Sequence, residues 1–279
     1  MSIDQPILGL IAGQGRLPLL VAQGMKASGA KVACVGLRDQ FDPELPGLCD
    51  DFSVAGLARP GKWIRVLKKA GATQAIMVGG VKKAHMHDPL RILKLLPDWR
   101  AVILWYKHLR HDRRNAAVLG AIAQELSRNG ITLIDSTTYI PDHLASEGVM
   151  TSTKPLPKQL ADIEFAWPLL KQAVELEIGQ SMAVRERDVI AVEAVEGTGA
   201  MIKRAGELCK AKDWVLLKTA SGDHDMRSDV PSIGVETIEQ IAQAHGTCIA
   251  LGTGRVILID KPKVIEAADK AGIAIVGLK

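Results

Sequence analysis

Residues 7–37 carry the pattern that most limits what this chain can fold into. An apolar run, Ile7–Ala12, is followed by a glycine-containing turn, a stretch with helical spacing over 19–28, and a β-branched run, Lys31–Leu37. Apolar runs separated by an amphipathic stretch with glycines at its ends predict strand, helix and strand. Because a helical crossover joins parallel strands, the segment is predicted to be a βαβ unit.

The composition extends this prediction to the whole chain. Hydrophobic residues make up 47% of the 279 residues, but aromatic residues make up only 4%. A core of Val, Ile, Leu and Ala is typical of parallel strands covered by helices, and the length favours two domains. After Asp135 the sequence becomes rich in Ser, Thr and Pro and loses its periodicity. We therefore predict an α/β protein, with an N-terminal Rossmann-like parallel-sheet domain over 1–135 and a second, mixed α/β domain over 136–279.

Two glycine turns follow predicted strands of the first domain. Ligands of open α/β sheets bind outside the carboxyl ends of the strands. Glycine lets the backbone approach an anion there, and the N-terminus of a following helix offers unpaired N–H groups. The alternative is a pair of tight turns with exposed lysines. The candidate substrate-binding residues in these turns are Gly13, Gln14, Gly15, Gly79, Gly80 and Lys82.

The same βαβ unit leaves a nucleotide-binding oxidoreductase open as an alternative. The dinucleotide fingerprint requires Gly-x-Gly-x-x-Gly and an acidic residue at the end of the second strand. Pro18 occupies the position of the third glycine, and the second strand ends in Leu37 and Arg38. Both departures weigh against a nicotinamide cofactor.

The second half of the chain contains a further glycine turn before a predicted helix over 200–210. Glu196, Gly197 and Thr198 form this turn, which is a candidate anion site at a helix N-terminus. An ordinary turn capped by the Thr198 hydroxyl is the alternative. Further along, the runs 247–251 and 256–260 flank a Gly-Thr-Gly segment, a pattern that predicts a β-hairpin.

The stretch 218–234 follows a strand predicted over Trp214–Lys218 and is the strongest candidate for chemistry. Three carboxylates and a guanidinium recur at every second position, so an extended chain places them on one face. Clustered carboxylates suit a hard divalent cation, and an arginine suits a phosphate. A solvated turn or edge strand is the alternative. The alternating residues are Asp223, Asp225, Arg227 and Asp229.

Charge and cysteine content limit the partners and the compartment. The net charge of +4 fits an anionic small molecule or a membrane surface, and the sequence shows no nucleic-acid-binding signature. Four dispersed cysteines indicate neither a zinc site nor a disulfide framework, which predicts reduced thiols in a cytosolic protein. No secretory signal or membrane-spanning segment is indicated.

Residues 97–114 combine aromatic and basic side chains. Trp99, Trp105 and Tyr106 lie among five lysine and arginine residues. Such a segment is typical of contact with anionic lipid, although a core helix with a charged end has a similar composition. Any membrane contact is therefore predicted to be peripheral.

Several stretches, taken in order, also carry a family resemblance. The stretches are Ile11-Ala-Gly-Gln-Gly-Arg-Leu-Pro18, Val78-Gly-Gly-Val-Lys82, Glu147-Gly-Val-Met-Thr151, Ala191-Val-Glu-Ala-Val-Glu-Gly-Thr198 with Ile202-Lys-Arg-Ala-Gly206, and His224-Asp-Met-Arg-Ser-Asp-Val-Pro231. Together they resemble the UDP-2,3-diacylglucosamine pyrophosphatases of the lipid A pathway, in their two-domain type and not the calcineurin-like one. The resemblance extends over nearly the whole chain.

The resemblance implies a Mg²⁺-dependent hydrolase that converts UDP-2,3-diacylglucosamine to 2,3-diacylglucosamine 1-phosphate and UMP, with water attacking the α-phosphorus. The key carboxylate of the family falls on Asp225, either as metal ligand or as the group that orients the water. Arg227 and Asp229 also match, whereas His224 and Ser228 depart from the usual residues.

The implied chemistry agrees with the residue types. A diphosphate requires cations, which Lys218 and Arg227 supply beside Mg²⁺. The implied partners are a lipid-linked UDP-sugar, the cytoplasmic face of the inner membrane and, as a candidate, a second copy of the chain. A non-catalytic sensor of nucleotides or lipids is the alternative outside enzymology.

Overall fold

The computed structural model describes residues 5–81, 97–104, 106, 115–221, 226–227 and 230–279. The described chain divides into two compact units. Unit 1 contains the described residues up to Ile140 together with Met226 and Arg227, and unit 2 contains the others. Several predicted site residues lie outside the described residues, namely Lys82, Asp223, Asp225 and Asp229.

Unit 1 is built on a parallel sheet. Its strands are β1 (Ile7–Ala12), β2 (Lys31–Leu37), β3 (Asp51–Ala55), β4 (Gln74–Val78) and β5 (Thr132–Leu133). They are paired in the order β3-β2-β1-β4-β5, and every neighbouring pair is parallel. Doubly wound sheets follow the same order, with a crevice between the first and fourth strands. The predicted βαβ unit is confirmed.

Among its described residues, unit 1 has the helices α1 (Leu17–Ala27), α2 (Leu45–Leu48), α3 (Pro60–Ala70), α4 (Trp99–Leu104) and α5 (Asn115–Arg128). Helix α3 shows how the sequence sets these bounds. It begins with Pro60 and ends at Gly71, whose φ of 90° is favourable only for glycine. Between them Trp63 and Leu67, spaced four residues apart, are buried in one core cluster with Ile11 and Leu126.

Unit 2 contains a mixed sheet. Its strands are β6 (Gly148–Val149), β7 (Ser181–Arg185), β8 (Asp188–Val192), β9 (Trp214–Lys218), β11 (Gly246–Gly252) and β13 (Ala274–Leu278). The order is β6-β13-β11-β9-β7-β8. Strands β13, β11 and β9 are parallel, whereas the pairs β6–β13, β9–β7 and β7–β8 are antiparallel. The fold class predicted for both halves is confirmed.

Helices cover both faces of this sheet. They are α6 (Pro157–Glu175), α7 (Thr198–Leu208), α8 (Val235–Gln243) and α9 (Lys261–Lys270). Because side chains alternate along a strand, Val215 and Leu217 of β9 pack in one core cluster with α6. Trp214 and Leu216 pack in another cluster with α7, α8 and α9. Strand β9 is therefore buried on both faces.

The hairpin predicted over 247–251 and 256–260 is wrong. Strand β11 is a central strand whose two edges pair with β9 and β13, so neither edge is available to a following strand. The second half of the predicted hairpin forms β12 (Ile257–Leu258), which pairs in parallel with β10 (Ser232–Ile233). Within the described residues, no helix combines the length and apolarity needed to cross a bilayer.

The cysteines are free thiols. Cys34 and Cys248 are buried in the two sheets. Burial raises the pKa of the Cys248 thiol to about 12, so this thiol stays protonated at neutral pH. The two other cysteines, Cys49 and Cys209, are half-buried.

Candidate functional site

The two glycine turns of unit 1 lie against each other. The Gly13 N–H donates to the Val78 carbonyl at 2.8 Å, and Gln14 and Gly80 exchange N–H···O bonds of 2.8 and 2.9 Å. The carboxyl ends of the adjacent strands β1 and β4 are thereby joined. The structure thus brings together two sets of residues that the sequence marked separately as substrate-binding.

Close approach explains why glycine occupies two of these positions. A Cβ atom on Gly13 would lie 2.6 Å from the Gly80 carbonyl oxygen, and one on Gly79 would lie 2.7 Å from the Gly13 carbonyl carbon. Gly79 also has a φ of 99°, which side chains rarely tolerate. The N–H groups of Gly13 and Gln14 are engaged within the protein, so Gly15, which is exposed and has open space around its Cα, is the turn residue open to a ligand.

A cavity of about 310 Å³ adjoins this turn. Its lining residues are Gln14, Gly15, Asp39, Gln40, Phe41 and Asp42. Asp39 and Asp42 lie just beyond the end of β2 and were not predicted from the sequence, which indicates a strand ending in Leu37 and Arg38. Carboxylates at this edge of a doubly wound sheet are suited to accept hydrogen bonds from sugar hydroxyls.

In unit 2, Lys218 and Thr198 come together as a buried pair. Lys218 is the last residue of β9, and its side chain is only 4% exposed. Its Nζ atom lies 2.7 Å from the Thr198 hydroxyl and 3.6 Å from a carboxylate oxygen of Glu193. Two of the predicted substrate-binding residues therefore share one site at the carboxyl end of a parallel strand.

Glu193 is the residue of this cluster that sequence reasoning missed. Its side chain is 12% exposed. One carboxylate oxygen accepts a hydrogen bond of 2.9 Å from Thr198, and the other accepts one from the Ser181 hydroxyl. Ser181 is the pairing partner of Lys218 in the β7–β9 register. The signal available in the sequence was a glutamate within an otherwise apolar strand-like run.

Burying an ion pair costs desolvation free energy, which is recovered only where the remaining hydrogen-bonding groups are satisfied. Here two hydroxyls and an ammonium converge on a single carboxylate. The arrangement fixes the Lys218 Nζ atom in place before any ligand binds. Such a fixed cation suits an anionic substrate. We refer to Ser181, Glu193, Thr198 and Lys218 as the Lys218 cluster.

The turn before α7 differs from its sequence interpretation in two respects. The helix begins at Thr198, and Gly197, with a φ of 83°, precedes it without any side-chain cap. The alternative in which the Thr198 hydroxyl caps the helix is not observed, because this hydroxyl donates to Glu193. The Glu196 carboxylate pairs with Arg204 at 2.6 Å. Hydrogen bonding to its own backbone N–H and to Arg204 lowers the pKa of Glu196.

Of residues 223–229, which carry the alternating charges, only Met226 and Arg227 lie within the described residues. They form a turn, and the Met226 carbonyl accepts hydrogen bonds of 2.9 Å from both the backbone N–H and the hydroxyl of Ser136. These two residues therefore adopt a turn and not the extended conformation that would place the alternating charges on one face. Arg227 is exposed.

The predicted metal ligand, Asp225, lies outside the described residues. In the described ranges, no group of three or more His, Cys, Asp or Glu side chains converges as a metal site requires. No ligand set for Mg²⁺ is therefore derived from the geometry.

The fold and the Lys218 cluster define a two-unit α/β protein with a buried cation at a strand terminus, an arrangement typical of enzymes acting on anionic substrates. Residues 7–143 match the LpxI N-terminal domain and residues 146–276 match the LpxI C-terminal domain. The chain is also 30% identical over 282 residues to the UDP-2,3-diacylglucosamine pyrophosphatase LpxI of Caulobacter vibrioides, with 97% of each chain covered. The chain belongs to the LpxI family and is an enzyme.

These comparisons confirm the family resemblance that the five sequence stretches indicated. They favour neither an oxidoreductase nor a non-catalytic sensor. Both domains of the family are present in one continuous chain.

Proposed function

We propose that this enzyme hydrolyses the diphosphate of UDP-2,3-diacylglucosamine, releasing 2,3-diacylglucosamine 1-phosphate and UMP during lipid A synthesis. The observation that carries the proposal is similarity over 97% of both chains to a protein named for this activity. A buried lysine at the carboxyl end of a parallel strand supports it, because the substrate is a phosphoric anhydride and carries negative charge.

In the proposed reaction, a water oxygen forms a bond to the α-phosphorus and the bond from that phosphorus to the bridging oxygen breaks. UMP gains the water oxygen, and the bridging oxygen leaves with the lipid phosphate. Mg²⁺, when bound, neutralises charge on the diphosphate. Asp225 either binds this ion or orients the water, while Arg227 and Asp229 complete the proposed catalytic set.

Within this reaction we assign Lys218 to stabilising negative charge on the diphosphate. Glu193 and Thr198 hold the Lys218 Nζ atom in position, so no reorganisation is needed as charge develops. Lys218 ends β9 and is the first residue of the stretch 218–234, which also contains Asp225.

The remaining candidate binding residues belong to three turns. Gly15 and Gln14 line the cavity of unit 1, where Asp39 and Asp42 are proposed to accept hydrogen bonds from substrate hydroxyls. Gly80 is a further candidate, because the space beside its Cα is open to a ligand.

We also propose a cytoplasmic location with peripheral contact to the inner membrane, because the substrate is lipid-linked.

The test combines product analysis with isotope labelling. Purified protein is incubated with UDP-2,3-diacylglucosamine and Mg²⁺ in ¹⁸O-water, with a parallel sample in excess EDTA. We expect UMP that carries the label, and no UMP in EDTA. Absence of UMP contradicts the function, label only in the lipid phosphate contradicts attack at the α-phosphorus, and full activity in EDTA contradicts the Mg²⁺ requirement.

The role of Asp225 is resolved by titrating Mg²⁺ against Asp225→Asn. If Asp225 binds the metal, the variant requires more Mg²⁺ for half-maximal activity. If it orients the water, the Mg²⁺ requirement is unchanged and kcat falls.

A further inference from the structure

Helix α4 exposes large apolar side chains to solvent. Trp99 is 74% exposed and Val102, one turn further along, is 42% exposed. Tyr106, just beyond the helix, is 60% exposed. Large apolar side chains clustered on one surface usually mark a binding site for a protein or a membrane.

The helix is nevertheless held firmly to unit 1. Asp98 caps it by accepting the Ala101 N–H at 2.9 Å, and the other carboxylate oxygen accepts the Gly61 N–H of α3 at 2.7 Å. Arg100 pairs with Glu125 of α5, and Leu104 is buried. The apolar residues are therefore presented to solvent on a fixed element.

A basic stripe begins at the point where α3 meets α4. Gly61, which contacts the Asp98 carboxylate, starts a helical face that continues with Arg65, Lys68 and Lys69 at spacings of four, seven and eight residues. All three basic side chains are exposed. Helices α3 and α4 thus meet near Gly61 and Asp98, and unit 1 exposes apolar side chains on one of them and basic side chains on the other. Such a combination is complementary to a bilayer that contains anionic lipid, where aromatic side chains enter the interface and cations meet the headgroups.

We propose that unit 1 docks on an anionic membrane surface through Trp99, Val102 and Tyr106 of the α4 region and Arg65, Lys68 and Lys69 of α3. The inference deepens the proposed function, since an enzyme for a lipid-linked substrate encounters that substrate at a bilayer. It commits to a bilayer because the surface combines apolar and cationic groups, whereas a second copy of this net positive chain would bring like charges together.

The test is co-sedimentation of the full chain with vesicles, measured without substrate. One set of vesicles contains phosphatidylcholine alone, and the other an equimolar mixture of phosphatidylcholine and phosphatidylglycerol. We expect binding to the mixed vesicles that weakens with salt. Binding to neither set, or equally to both, overturns the proposal.

Variants locate the surface. Trp99→Ser is expected to lower the vesicle partition coefficient about tenfold, and Lys68→Gln with Lys69→Gln about fivefold for each charge removed. Leu208→Ser and Lys210→Gln are matched controls on exposed residues of unit 2 and should bind like wild type. Wild-type affinity in the Trp99 and lysine variants overturns the assignment.

Two further measurements separate the remaining outcomes. Thermal melting shows whether Trp99→Ser still folds; if it does not, Val102→Ser replaces it. Sedimentation velocity without lipid tests for a second copy, and a dimer that Trp99→Ser dissociates overturns the bilayer as occupant. UMP release from detergent-solubilised substrate is measured separately, so loss of activity and loss of vesicle binding are distinguishable.

Discussion

The carboxyl ends of the two sheets use polar groups in opposite ways. In unit 1, the ends of β1 and β4 are joined by backbone hydrogen bonds. Glycine is required there because two backbone segments approach too closely to leave room for a Cβ atom. In unit 2, the end of β9 carries a buried lysine, a glutamate and two hydroxyls. The site in unit 1 is therefore formed by closely packed backbone, and the site in unit 2 by buried charged and polar side chains, although both follow parallel strands.

The largest effect is expected from Lys218→Met. Loss of a preorganised cation should lower kcat/KM by about 10²–10³-fold, and the uncompensated Glu193 carboxylate should lower the free energy of unfolding by about 3 kcal/mol. Steady-state kinetics and urea unfolding measure the two effects. Lys210→Met, at an exposed position, is the control.

A double variant separates charge from stability in the same cluster. Lys218→Met with Glu193→Gln removes both charges; the new amide oxygen accepts from one of the Ser181 and Thr198 hydroxyls, and its NH₂ group can donate to the other hydroxyl oxygen. Stability should largely return while activity does not. Recovery of kcat/KM in the double variant would show that the cluster only stabilises unit 2.

A smaller effect, on stability alone, is expected in unit 1. Gly79→Ala introduces a Cβ 2.7 Å from the Gly13 carbonyl carbon at a φ of 99°, and should lower the free energy of unfolding by about 2 kcal/mol. The neighbouring Gly80→Ala adds a Cβ to open space and should change it by less than about 0.5 kcal/mol. Equal destabilisation by the two substitutions contradicts the close-approach account.

The smallest effect on stability is expected at Asp213, which directly precedes the first residue of β9. Hydrogen bonds from Lys158 and Thr247 lower the pKa of Asp213 in the folded state. Its stabilising contribution is present above the ordinary aspartate pKa of about 3.9 and is lost as pH falls through the lower folded-state pKa. Asp213→Asn should therefore be less stable than wild type at neutral pH, and the difference should shrink in acid. Urea unfolding across this pH range measures it, and a difference independent of pH argues against the carboxylate.

The local sequence pattern was sufficient to predict the position of strands whose apolar run has a clear beginning and end. Strands β1, β2 and β9 lie where their apolar runs predicted them. The predicted hairpin failed because strand pairing is not encoded locally. A Gly-Thr-Gly segment fits a tight turn, but β11 has both edges occupied by strands distant in sequence.

The candidate site was predictable in part for the same reason. Lys218 and Thr198 were identified from their places after a strand and before a helix. Glu193 and Ser181 were missed because their role depends on the β7–β9 register, which places Ser181 opposite Lys218. The glycine pattern identified two turns of unit 1 that lie against each other, but it could not show that the Gly13 and Gln14 N–H groups are engaged by β4 and its turn.

The most direct test of the central claim, that the chain from Lys218 onward carries the diphosphate chemistry, is UMP release from UDP-2,3-diacylglucosamine in Mg²⁺. Wild type and two alanine variants are compared, Asp225→Ala at the family-matched carboxylate and Asp223→Ala as the control, since Asp223 precedes the family-like stretch 224–231 and no motif match reaches it. The account predicts UMP from wild type and Asp223→Ala, and none from Asp225→Ala despite wild-type melting. UMP release by Asp225→Ala at a near wild-type rate contradicts it.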